Sequence, residues 1–85
     1  MACRERSYRG ISARAAIGYL ENLGGEQTAE DTVVGDGWEV SVSEQTVEVG
    51  PSLQLTEVTV VFEGEEDHLE PLVERFSQKA IRAGG

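Results

Sequence analysis

Two long runs of strand-forming residues, Trp38 to Val49 and Leu53 to Glu63, flank the short Gly50-Pro51-Ser52 segment, and this arrangement constrains the fold more than any other feature. Read as a hairpin with Val49 facing Leu53, the register continues as Val47 with Leu55, Val42 with Val60 and Val40 with Phe62. Both strands change phase together. Apolar residues are even-numbered near the base (Trp38, Val40, Val42, Val58, Val60, Phe62) and odd-numbered near the tip (Val47, Val49, Leu53, Leu55). The tip therefore turns its apolar side chains to the face opposite the base. Two explanations are open: a bulge or strong coiling around Glu44 and Glu57, or packing of the tip on a second molecule. The second makes Val47, Val49, Leu53 and Leu55 the expected contact of a homodimer.

A helix is predicted over Ile11 to Leu23, because Ala13, Ala16, Ile17, Leu20 and Leu23 recur at helical spacing between a Ser12 N-cap and a Gly24-Gly25 stop. A second helix is predicted over Asp67 to Ala83. Its apolar stripe is Leu69, Leu72, Val73, Phe76 and Ala80, with Asp67 as N-cap, Glu70 completing an acidic capping box and Pro71 in the first turn. Arg4 to Gly10 has room for one short strand, Glu26 to Asp31 is polar loop, and Gly35-Asp36-Gly37 is a turn. The expected architecture is an α+β, two-layer sandwich of order β-α-β-β-α, a three-stranded sheet with two helices on one face.

A chain of 85 residues suffices for a single small domain spanning 1–85, burying roughly 63% of its unfolded surface and leaving little for a deep pocket. Thirteen Glu and three Asp stand against six Arg and one Lys, a net charge of −9. Such repulsion is relieved by salt, which suits a halophilic, salt-rich cytoplasm. The charge is also segregated: residues 21–74 hold fifteen acids and no Lys or Arg, whereas both ends are basic. Nucleic acid is an unsuitable ligand for this surface. The longest aliphatic run, Val58 to Phe62, is too short to cross a bilayer, and the N-terminus lacks a secretory apolar segment, so a cytoplasmic location is expected. Cys3 is a lone thiol and cannot form an internal disulfide.

Catalytic constellations are sparse. His68 lies among Glu65, Glu66, Asp67 and Glu70, but acids at a helix start are accounted for by capping and the helix dipole, so neither a metal site nor a triad is assigned. No cofactor is expected. Gly35-Asp36-Gly37 imitates part of a dinucleotide fingerprint yet precedes a strand, which leaves no helix N-terminus to hold phosphate. The expected topology gathers Arg9, Arg14, Lys79 and Arg82 at one edge, a candidate site for an anion or an acidic partner segment.

Tyr19-Leu20-Glu21-Asn22-Leu23-Gly24-Gly25, the Gly37-Trp38 strand start, and Phe76 followed by Lys79-Ala80-Ile81-Arg82-Ala83-Gly84-Gly85 resemble the small C-terminal domain of archaeal-type MoaD-related proteins, relatives of the molybdopterin synthase small subunit. The resemblance covers nearly the whole chain, here without the ubiquitin-like domain that precedes it in the fused form. It implies an association with molybdenum-cofactor sulfur transfer and protein partners among molybdopterin synthase components. The reading adopted is a small non-enzymatic binding or assembly domain. The alternative is a ubiquitin-like modifier or sulfur carrier that uses Gly84-Gly85, although a helix running into those glycines makes them a helix stop instead.

Overall fold

A computed structural model describes residues 1–84. In chain order the elements are β1 (Ala2–Arg9), α1 (Ala13–Asn22), β2 (Glu26–Ala29), β3 (Thr32–Gly35), β4 (Trp38–Glu48), β5 (Gln54–Gly64) and α2 (Glu66–Gly84). The strands form one antiparallel sheet of order β1-β5-β4-β3-β2. The three-stranded sheet expected from the sequence is therefore wrong, since β2 and β3 add a second hairpin beyond β4. Polar Glu26–Ala29 is exposed along its whole length and carries no alternation; it becomes a strand by pairing with β3, across an irregularity between Gln27 and Ala29. β3 buries only Val33, which pairs with Val40.

One face of the sheet carries the core. Val33, Val40, Val42, Val58, Val60 and Phe62 meet Ala16, Ile17 and Leu20 of α1 and Leu69, Leu72, Phe76 and Ala80 of α2, all of them buried. Phe76 lies edge-on to Tyr8, Tyr19 and Phe62, with ring centroids 5.2, 6.1 and 5.6 Å away, which ties both helices to β1 and β5. The Tyr8 hydroxyl also hydrogen-bonds Ser77 Oγ at 2.7 Å.

Local signals place most helix ends. Ser12 Oγ accepts the Ala15 N–H at 3.1 Å, as an N-cap should. At the second helix the expected cap is displaced: the Glu65 carbonyl accepts the His68 and Leu69 N–H groups, so Asp67 lies inside the first turn. Pro71 consequently sits past the first turn, and its ring denies the exposed Asp67 carbonyl its usual donor four residues on. Just ahead of this helix Gly64, at a φ of 151°, ends β5 where a Cβ would run into the Gly37 carbonyl.

Trp38 fastens the base of the sheet. Its indole fills a slot made by two glycines, so that a Cβ on Gly25 would stand 2.5 Å from the ring and one on Gly35 would overlap it. Gly25 of the helix stop and Gly35 of the turn thus share one purpose, close approach to a single aromatic side chain.

Candidate functional site

The register of β4 with β5 runs unbroken from Trp38 opposite Gly64 to Glu48 opposite Gln54, matching the hairpin read from the sequence. No bulge occurs at Glu44 or Glu57, which removes the bulge as the cause of the phase change. β1 stops pairing at Arg9 opposite Glu57, and β3 begins at Thr32 opposite Ser41. Beyond those points β4 and β5 continue as a two-stranded arm, in a molecule 43 Å long and only 23 and 21 Å in its other dimensions.

Alternation decides what the arm displays. Val47 and Leu55 face away from the helix layer and are half-buried, whereas Val49 and Leu53 at the tip are 44% and 54% exposed. On the same face, Glu57 accepts hydrogen bonds from Gln45 Nε2 at 3.1 Å and Arg9 Nε at 3.2 Å. The Gln45 amide first, and then the Arg9 guanidinium, hold the Glu57 carboxyl below its ordinary value.

On the helix side a cleft of about 920 Å³ opens between α1 and the β2–β3 turn, with Arg14, Glu21, Gln27, Glu30, Asp31 and Glu44 on its walls. Glu44 Oε2 accepts the Ala13 N–H at 2.8 Å, a second cap on α1 that sequence reasoning missed. Only an acidic residue at a helix-facing strand position hinted at it.

Of the four expected anion-site residues, Arg9 lies on the opposite face of the sheet from the helices that carry the other three. Arg9 pairs with Glu57 on the uncovered face of the sheet. Arg14 lies in the cleft, on the flank of α1 away from Tyr19 and its contact with Phe76 of α2. Lys79 and Arg82 are exposed on α2. His68 is exposed with its imidazole against Gly37, where a Cβ would come within 2.8 Å of the ring. Among the described residues no group of three or more His, Cys, Asp or Glu side chains is arranged to hold a metal ion.

A family model of archaeal MoaD-like proteins matches residues 4–85, nearly the entire chain. The chain belongs to the archaeal MoaD-like family. A search of curated proteins finds no match. The MoaD-like match takes in the Trp38 slot, both helices and the arm, so every surface described above lies within the family's own span. Within this MoaD-like chain α2 is helical up to Gly84, while Gly85, and with it part of the expected Gly84-Gly85 feature, lies outside the described residues.

Proposed function

We propose that this MoaD-like domain is a non-catalytic binding or assembly module of molybdenum-cofactor sulfur transfer, and that the β4–β5 arm is the surface it offers to a protein partner. The observation that carries this reading is the arm itself, a projecting hairpin whose apolar residues Val47, Val49, Leu53 and Leu55 lie off the helix-covered core. Covering such side chains supplies association free energy without a pocket. The helical course of α2 as far as Gly84 supports a module over a carrier, because a carrier presents its terminal glycines on an extended tail.

Three measurements test the proposal. Purified molybdopterin synthase subunits, titrated by calorimetry, should bind the wild-type chain, and a Val47→Glu, Leu55→Glu variant should bind at least about tenfold more weakly, a loss of about 1.4 kcal/mol. Binding unchanged by the double substitution overturns the arm as the contact. Light scattering on the same samples reads the homodimer expected from the sequence, which the double substitution should convert to monomer. Incubation with an activating enzyme and ATP, followed by intact-mass analysis, should yield no acyl-adenylate or thiocarboxylate; either product would establish a carrier instead.

A further inference from the structure

The arm has an edge as well as a face. Val42 N–H donates to the Asp31 carbonyl at 2.8 Å, on the β3 side, while Val49 N–H donates to the Leu53 carbonyl across the hairpin. Even-numbered residues of β4 therefore direct their backbone groups outward and odd-numbered residues direct theirs to β5. Past Val42 no strand among the described residues pairs on the outer side. The N–H and C=O groups of Glu44, Thr46 and Glu48 are left as an open strand edge, a template for another chain.

Charge selects the occupant. Glu44 and Glu48 flank Thr46 on the helix-facing side of this edge, and an antiparallel second copy centred on Thr46 would set Glu44 opposite Glu48 between molecules of charge −9. Like charges directly opposite are destabilising, so the edge disfavours its own copy. The line of β3, extended past Asp31, leads along this edge and beside the carboxylate-lined cleft, where Glu21, Glu30, Asp31 and Glu44 outnumber Arg14. On the opposite side of the same edge, Val47 offers apolar contact.

We propose that the outer edge of β4 from Glu44 to Glu48 receives an extended segment of a partner protein in which basic and apolar residues alternate, adding a sixth strand to the sheet. Basic side chains on one side of that strand meet Glu44, Glu48 and the cleft, and apolar side chains on the other lie beside Val47. This rests on the reading of the arm as a binding surface and names the chemistry of what binds.

Amide hydrogen exchange read by NMR tests it, with a capped hexapeptide of alternating lysine and valine as probe and its glutamate–valine counterpart as control. In the free protein the amides of Glu44, Thr46 and Glu48 should exchange fast and those of Gln45 and Val47 slowly. The lysine–valine probe at millimolar concentration should slow the three outward amides by at least about tenfold, and the control should not. Thr46→Pro removes an outward N–H but no bond of the β4–β5 ladder, so Gln45 and Val47 should stay protected while the probe loses its effect. Glu48→Lys, at an exposed position, should weaken the probe about fivefold at low salt. Equal protection by both peptides, protection that grows with protein concentration alone, or none at all would overturn the proposal. Partner binding that survives Thr46→Pro but not Val47→Glu, Leu55→Glu would keep the arm as a binding surface and reject its edge.

Discussion

Glu44 on β4 and Ala13 at the start of α1, 31 residues apart, are joined by a 2.8 Å hydrogen bond from the Ala13 N–H to the Glu44 carboxylate. The first turn of α1 contains no acidic residue of its own, so this distant carboxylate supplies the negative charge that a helix N-terminus favours. Glu44→Ala should cost about 1 kcal/mol, comparable to Ser12→Ala, and each should lower the thermal midpoint by about 4–8 °C. If Glu44→Ala leaves the midpoint unchanged, Ser12 alone caps the helix.

Glu57 makes stability depend on pH in a defined direction. Its carboxyl is held below the ordinary value of 4.5 by Gln45 and Arg9, so the folded state favours the charged form. The resulting stabilisation is present above the ordinary value and is lost as pH falls through the lowered one. Between pH 5 and pH 3, chosen as a range of about two units around the carboxylate region, the thermal midpoint of Glu57→Gln should fall less steeply than that of the wild type. Equal slopes would mean that the Arg9–Glu57 pair contributes nothing to folding.

The two glycines around Trp38 and the glycine in α1 separate tight from open positions. Gly35→Ala drives a Cβ into the indole and should destabilise the fold by about 1–3 kcal/mol, with tryptophan emission moving to the red. Gly18 has open space where its Cβ would stand and lies inside α1. Gly18→Ala should therefore stabilise by about 0.5–1 kcal/mol, and urea denaturation of the two variants reads both signs.

Salt should act most strongly at low concentration. The acids of residues 21–74 have no Lys or Arg among them, and Arg4–Glu66 and Arg9–Glu57 are the ion pairs found among the described residues. Circular dichroism should show the thermal midpoint rising steeply in the first few tenths molar KCl and only gradually thereafter. A flat profile would remove the argument for a salt-rich setting.

How much of this was legible in the sequence depended on repetition. The β4–β5 register could be read because eleven-residue strands repeat their alternation several times, and the helix stripes because Leu69, Leu72, Phe76 and Ala80 all fall on one side. β2 and β3 could not, because four residues give two positions per face and Glu26–Ala29 has no apolar one at a β-branched site facing the core. The β-branched run Thr32-Val33-Val34 ahead of Gly35-Asp36-Gly37 was the available signal for a strand and turn. The start of α2 was ambiguous for another reason: Glu65, Glu66 and Asp67 are three consecutive acids, each of them suited to a helix N-terminus, and the capping carbonyl is that of Glu65. As for the candidate site, topology alone placed Arg9 and Arg14 near one end but could not say that they emerge on opposite sides of the sheet.

The sheet order carries a consequence for synthesis. β1 is made before the other elements described here, yet its pairing partner is β5, the last of the five strands in chain order, in a register that joins Ala2 to Gly64. Until that strand emerges, β1 has no neighbour in the sheet, while α1 and the β2–β3 and β3–β4 pairs can already assemble from sequence-adjacent pieces. Its docking closes the sheet and brings Tyr8 against Phe76 and Ser77, so β1 takes its place only after β5 and α2 have both been translated.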